Sequence, residues 1–388
     1  MPDSSGATVF DDLPEWLVVE EILVRLPSKD VLRCRAVRKS WRSRTSTDKF
    51  ILDHHRRQPS LPIIKHRKGI CRPAVFNDAG PGAGAPNDQK IRPILHHYTP
   101  PVGTIFTTIY NAACDGLLIM SQQLDFYICN PATRRCASLP HPPLRPAGYS
   151  AVAVVGFYRH HASGEHRVLW VVFSIAAGSA VELPDYFVLT VGSDQPRPIQ
   201  RPQGGVPAAR SSRGPPVHHR GSLHWAVSLK ITVFDTVAET FRQMSRPAQL
   251  GHMVSLLDMG GALALCGTSD DFVTLDVWVL QDYDAQTWGF QYRINLLEMV
   301  AVPPLNLRER YAPTMDVINE RELLIEHRPD RLLHCDIDGV FLGNVEHEER
   351  LIGLALTRHR LQESLISLPL FERQEEDAGK EPPFAMVL

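Results

Sequence analysis

A chain of 388 residues that is 44% hydrophobic and 22% charged, with a formal net charge of -2, has the composition of a globular protein with room for more than one domain. No large charge excess demands nucleic acid or a membrane surface as partner. The seven cysteines, at 34, 71, 114, 129, 136, 266 and 335, are odd in number and leave no C-x-x-C pair to clamp zinc or act as a redox couple. No basic segment followed by an apolar run opens the sequence, and nowhere do about eighteen apolar residues stand together. Together these predict an intracellular protein of the cytoplasm or nucleus, kept reduced and without a membrane span.

From Leu13 to Leu26 apolar residues recur at Trp16, Val19, Ile22, Leu23 and Leu26 between Glu15, Glu20, Glu21 and Arg25, a helical period with one apolar stripe. Asp12 is placed to cap this helix, Pro14 suits its first turn, and Leu26-Pro27 ends it. Ser28 then caps a second helix carrying Val31, Cys34, Val37 and Trp41 on one face. Helices spanning about forty residues cannot enclose an adequate core, so the stripe needs a partner surface, either another protein or the rest of this chain. Residues 25 to 72 carry fifteen Lys or Arg against Asp30, Asp48 and Asp53, a basic module that faces an acidic partner or water. Without aromatic interleaving or a recognised binding motif, nothing in it points to nucleic acid.

Beyond residue 60 short β-branched and aromatic runs alternate with turn residues, among them LLIMS, DFYICN, RVLWVVFSI, SLHWAV, ITVFD and LDVWVLQD, which reads as all-β. Aligning Asn130, Asp235, Asp282 and Asp336 places a strand end before each and an apolar residue six positions later, at Cys136, Phe241, Trp288 and Leu342. The spacing predicts a strand, a turn whose backbone is bonded by the Asn or Asp side chain, and a returning strand. Gly116 and Gly221 each lead their Asn or Asp by fourteen residues, whereas Gly261 leads Asp282 by twenty-one, which implies a longer loop around Gly267 to Asp271. Units of forty to fifty residues suit the four-stranded blades of a β-propeller, with a sandwich or irregular barrel as the alternative. The Gly- and Pro-rich stretches Asn77 to Gln89 and Gly192 to Pro216 are expected to be flexible loops, and the acid-rich tail from residue 371 to be disordered.

The stretch from Leu13 to Phe50 closely resembles the F-box of plant F-box proteins. Leu13-Pro14, Glu21-Ile22-Leu23, Arg25-Leu26-Pro27, Leu32-Arg33, Val37, Lys39-Ser40-Trp41-Arg42 and Phe50 carry that likeness. Two departures stand out: the interval from Leu13-Pro14 to Ile22-Leu23 is one residue longer than the common pattern, and Arg38 stands where many members have Cys. CDGLLIM, YICNPATRRCASLP, VFDTVAETF and LDVWVLQDYDAQTWGFQYRI likewise resemble the F-box-associated region of grass F-box proteins. The resemblance implies an α+β multidomain chain with a small N-terminal helical F-box followed by a large all-β, propeller-like domain. It divides into an F-box at 10–52, a linker and lead-in at 53–90, the substrate-recognition domain at 91–370 and the tail at 371–388.

The same resemblance implies a substrate-recognition subunit of an SCF-type ubiquitin ligase, binding a Skp-type adaptor, and through it cullin and a RING subunit, while the β domain holds a protein target. Carried over by position, the adaptor contacts are Leu13, Pro14, Val18, Val19, Ile22, Leu23, Leu26, Pro27, Val31, Leu32, Val37 and Trp41, with Trp41 the anchor. A propeller enzyme or ligand-binding protein, and an F-box scaffold acting outside the ligase, are the alternatives.

Catalytic signals are weak. The His-His pairs at 54/55, 96/97, 160/161 and 218/219 point their rings in different directions on strand or helix, and no H-x-x-x-H or H-E-x-x-H spacing occurs, so no metal site is expected. Gly80, Gly82 and Gly84 lack the strand and helix of a dinucleotide loop, and there is no G-x-S-x-G elbow or Walker loop. No cysteine is marked as a ubiquitin-accepting nucleophile. The expectation is a non-catalytic chain without cofactor.

Overall fold

The computed structural model describes residues 13–66, 73–76, 91–97, 108–122, 124–144, 150–174, 183–202, 214–227, 229–251, 253–307, 311–329, 331–345, 353–376 and 384–387. Asp12 and the stretch from Asn77 to Gln89 lie outside them. Pro14 holds the N-cap position of helix α1, Glu15–Leu17, which runs on as a π-helical turn, Val18–Ile22, and a 3-10 turn, Leu23–Arg25. These changes of winding rotate the stripe away from an ideal 3.6-residue period. Val18, Val19, Leu23 and Val24 share the buried side, and Trp16 turns outward, 54% exposed.

Helix α2, Ser28–Val37, follows Pro27, which occupies the N-cap. Ser28, expected to cap, is instead the first helical residue and is buried. Arg38 is extended (φ -134°, ψ 136°) and separates α2 from α3, Lys39–Thr45, so the expected shared face of Val37 and Trp41 does not exist. Val37 is 68% exposed while Trp41 is buried. Helix α4, Asp48–Arg57, is capped by the Thr47 hydroxyl, which accepts from the Phe50 amide.

The described residues that follow form six four-stranded antiparallel sheets, one two-stranded sheet and a short helix. Blade 1 comprises β5 (Thr108–Cys114), β6 (Leu117–Gln122), β7 (Asp125–Asn130) and β8 (Arg135–Leu139). Blade 2 comprises β9 (Ser150–Arg159), β10 (His166–Ser174), β11 (Asp185–Thr190) and β12 (Arg197–Ile199). Blade 3 holds β13 (Val217–His219), β14 (Ser222–Val227), β15 (Lys230–Asp235) and β16 (Thr240–Met244). Blade 4 holds β17 (Val254–Met259), β18 (Ala262–Thr268), β19 (Thr274–Asp282) and β20 (Thr287–Asn295). Blade 5 is β21 (Thr314–Val317), β22 (Glu322–Arg328), β23 (Arg331–Asp336) and β24 (Phe341–Val345). Blade 6 is shared by the two ends of the chain: β25 (Leu354–Gln362) pairs with β1 (Ser60–His66), followed outward by β2 (Pro73–Phe76) and β3 (Ile91–Pro93). Strand β25 lies between β21 and β5 and closes the ring, so the chain is a six-bladed β-propeller behind a helical head.

The sequence alternation explains the blade packing. In β6, Leu117 and Ile119 enter the cluster between blades 1 and 2, and Leu118 and Met120 the cluster between blades 6 and 1. In β10, Val168, Trp170 and Val172 face blade 1 while Leu169 and Val171 face blade 3. A strand covered on both sides is apolar at successive positions, which is why these segments read as unbroken hydrophobic runs. One buried cluster fills each of the six seams, and a seventh fills the head.

The four aligned turns behave as expected. Asn130 Oδ1 accepts from the amides of Ala132 and Thr133, Asp235 from Val237 and Ala238, Asp282 from Asp284 and Ala285, and Asp336 from Asp338 and Val340. Arg134, Glu239 and Gln286 follow at positive φ, completing the return. These turns join the third and fourth strands of blades 1, 3, 4 and 5, and the longer spacing in blade 4 comes partly from a longer loop between β18 and β19 and partly from longer strands, with Gly267, expected in the loop, lying in β18.

Two expectations about loops and tail are corrected. The stretch Gly192 to Pro216 contains β12, held in blade 2 by pairing with β11. The expected disordered tail from residue 371 instead carries most of helix α5, Pro369–Glu376, and strand β26, Phe384–Met386, which pairs with β4, Leu95–His97. Phe371 and Met386 are buried, so apolar anchors within an acid-rich stretch hold it down. A third finding corrects the expectation that all the cysteines are kept reduced. The β7–β8 turn sets Cys129 opposite Cys136, and the two are joined as a disulfide, a pairing that residue spacing alone did not signal.

Candidate functional site

Two regions present chemistry, the head and the mouth of the propeller channel beneath it. In the head, Val18, Val19, Leu23, Val24, Val31, Trp41 and Phe50 pack on one another and on Leu365, which comes from the strap following β25. Of the twelve residues predicted to meet an adaptor, Val18, Val19, Leu23, Val31 and Trp41 are therefore buried within this chain. Trp41 packs inside with the Arg38 guanidinium over its ring, 5.1 Å from the centroid. Leu13, Ile22, Leu26 and Leu32 are half-buried at the rim, and Pro14, Pro27 and Val37 are exposed. Trp16 joins the exposed set. It lay on the sequence stripe, but only the altered winding after Leu17 reveals that it faces outward.

The head is tied to the propeller by polar contacts as well as by Leu365. Within the head, His54 Nε2 and Gln58 Nε2 both lie within hydrogen-bond distance of the Leu26 carbonyl, at 2.9 and 3.1 Å, which fixes α4 against the first turns. Gln362 Nε2 donates to the carbonyls of His55 and Gln58. Asn130 Nδ2, in the first blade, donates to the Ser364 and Ile366 carbonyls at 3.0 and 2.8 Å. Burial lowers the His54 pKa, against the opposing pull of the Leu26 carbonyl and the Glu363 charge, and so favours the neutral ring.

The channel mouth next to α4 opens on a cavity of about 320 Å³. Arg159, Arg358 and Arg360 line it together with Asp115, Asp258 and Asp316, so it is polar and of mixed charge. Arg358 takes φ +59°, a conformation an L side chain adopts at some cost, at an irregularity where β25 loses register with β1. Its guanidinium packs so closely on Gly214 that a Cβ there would stand 2.5 Å from Arg358 Cζ. Asp316 is buried, which raises its pKa to about 6 even though Arg360 and the Val317 amide oppose the shift.

At the edge of this cavity the two-residue loop Asp115-Gly116, both at positive φ, turns β5 into β6. Gly116 is required there twice over, since a Cβ would also lie 2.5 Å from Ser364 Cβ. Asp115 Oδ2 lies 3.1 Å from His166 Nε2, and Asp115 Oδ1 lies 3.9 Å from His55 Nε2. Burial acts to raise the Asp115 pKa but is outweighed by the hydrogen bond and charge of His166, by His55 and by Arg159, so the carboxyl ends below its ordinary value. Burial pushes the Cys114 thiol well above its ordinary range, and the Asp115 charge adds to this.

Residues 87–302, more than half of the chain, match the family described as the F-box associated beta propeller domain. This chain belongs to that family. The match runs from β3, the outermost strand of blade 6, to just beyond blade 4, so it covers most of the ring. Among similar curated proteins, an F-box/LRR-repeat protein of Arabidopsis thaliana is 26% identical over 315 residues, covering 74% of this chain and 68% of the relative. An Arabidopsis F-box protein is 24% identical over 76% of this chain and 81% of its own length. An Arabidopsis F-box/kelch-repeat protein is 24% identical over 70% and 77% respectively. The chain is thus a plant-type F-box protein with an associated β-propeller, and the relatives it matches are F-box proteins. Among the described residues, no helix is long and apolar enough to cross a membrane.

Proposed function

We propose that this chain is the substrate-recognition subunit of an SCF-type ubiquitin ligase, an intracellular, non-catalytic receptor that binds a Skp-type adaptor through its head and a target protein through its propeller. The observation that supports this reading most is the head itself. An F-box-like sequence leaves Trp16 and Val37 facing solvent beside a basic surface, although seven other apolar side chains are buried beneath them. The adaptor contacts of this reading are Leu13, Pro14, Ile22, Leu26, Pro27, Leu32 and Val37, with Trp16 added as the aromatic anchor. The buried Val18, Val19, Leu23, Val31 and Trp41 act by holding that surface in shape. Exposed Lys39, Arg42 and Arg44 favour an acidic partner and speed encounter.

Ubiquitin transfer would then be borrowed chemistry: the receptor holds a target lysine close to the charged enzyme and contributes proximity. On the propeller, exposed Leu297, Val300 and Val302 follow β20, and Asn344 Nδ2 on β24 donates to the Val302 carbonyl at 2.7 Å, bringing exposed Leu342 and Val340 into the same neighbourhood. An apolar surface of this kind suits a protein target.

The test is co-purification of the full chain with a Skp-type adaptor, beside Trp16→Ala and Val37→Asp. Both variants should melt as the wild type does and lose at least about 10-fold in affinity, because each change falls on an exposed contact. A folded wild type that captures no adaptor sinks the proposal, and a ligand-binding role for the channel cavity then takes its place.

A further inference from the structure

We propose that Cys114, Asp115 and His166, with His55 closing the set, form a binding site for a zinc-like divalent transition-metal ion that pins α4 of the head to the first two blades. The ligand atoms of Cys114, Asp115 and His166 all lie within 4.8 Å of one another. Given bonds of about 2.0–2.3 Å, ligand atoms around a tetrahedral zinc sit roughly 3.3–3.8 Å apart, so small rotamer adjustments bring these three onto one ion. The set offers sulfur, nitrogen and oxygen. That mixture favours zinc or a neighbouring first-row metal over calcium or magnesium, which take oxygen alone.

The fourth position comes from the head. His55 Nδ1 lies 3.0 Å from the Glu363 carbonyl, which only accepts, so Nδ1 carries the proton and Nε2 presents a lone pair. That Nε2 stands 3.9 Å from Asp115 Oδ1. A lone pair facing a carboxylate oxygen is an arrangement that a cation between them resolves. A second proton on His55 would resolve it as well, and the sulfur separates the two explanations. A thiol adds nothing to a His–Asp ion pair, whereas it is a strong zinc ligand once the metal displaces its proton. The supporting frame is rigid: the Asp115-Gly116 turn is wedged against Ser364, and His166 is buried against Phe157 at the start of β10. The inference does not depend on the adaptor assignment, because it concerns only how this chain is held together.

Cobalt(II) tests it on the full-length chain after dialysis against a chelator. One equivalent should bind with the intense visible bands of a tetrahedral site and a near-ultraviolet thiolate-to-cobalt band, and excess zinc should bleach both. Cys114→Ser should lose the thiolate band, His55→Gln should weaken binding by more than about 10-fold, and Cys34→Ser, on α2, should change neither. The wild-type spectrum decides even if a variant fails to fold. No binding, or octahedral cobalt without a thiolate band, overturns the proposal, as does a thiolate band that survives in folded Cys114→Ser. Zinc should also raise the melting temperature of the wild type and leave that of Cys114→Ser unchanged, the mark of an ion that binds the folded chain only.

Discussion

The head and the propeller bury apolar stripes by different means. Each blade has two neighbours, so alternate residues of one strand serve two separate seams, and the ring leaves no side of the interior open. The head has one small cluster, and even that is completed by Leu365 from the propeller strap. A ring distributes its stability over six similar interfaces, whereas about forty-five residues of helix borrow part of theirs. The contrast teaches that the polar and apolar weld around residues 362–366 makes the two regions behave as one unit, and three perturbations probe it.

The largest effect is expected at Trp225, fully buried between blades 2 and 3 with Nε1 donating to the Val155 carbonyl at 3.1 Å. Trp225→Ala should cost about 3–5 kcal/mol in denaturant unfolding. If the weld holds, helix and strand signals shift together. Separate transitions for the two would break the comparison.

Next comes Asn130, whose buried side chain both forms its turn and donates to the Ser364 and Ile366 carbonyls. Asn130→Ala should lower stability by about 2–3 kcal/mol, and Asp282→Ala, which removes the matching but exposed turn bonds of blade 4, by about 1 kcal/mol. Equal losses in urea titrations would mean that the strap contacts contribute nothing.

The third is a pH effect. His224 is buried with its Nε2 2.9 Å from the Tyr283 hydroxyl, and burial lowers its pKa to about 4. Because the unfolded chain binds the proton more tightly, this contribution is complete above about pH 6.5 and declines as the pH falls toward the folded value. Between about pH 7 and pH 5 it should remove about 2 kcal/mol, a contribution that His224→Gln takes out of the measured slope. His54 in the head and His218 and His359 in the propeller shift in the same direction, so the variant keeps a residual slope to which both regions contribute.

Much of this was readable from residues. Asn130, Asp235, Asp282 and Asp336 announced four blades because a turn that bonds its own backbone needs a short polar side chain at a fixed place. Blade 2 lacks that residue, since Thr190 stands at the end of β11, and blade 6 is split between residues 60–93 and 354–362, so no local repeat could show either. In the head the apolar stripe was legible but its direction was not. A π turn and a 3-10 turn shift which residues face inward, and the extended Arg38 parts Val37 from Trp41. The cluster of Cys114, Asp115, His166 and His55 was invisible for a different reason: its members lie on two blades and a helix, and only ring closure brings them together.

Blade 6 has a temporal consequence. Its innermost strand is translated after the other five blades, while the three strands it completes are translated before them. During synthesis five blades can assemble in succession, but the circle stays open until β25 arrives. Leu365, only three residues beyond that strand, then seals the helical cluster. The apolar cluster of the head is therefore complete only after the strand that closes the ring has been made, which ties the packing of the helices to the closure of the propeller.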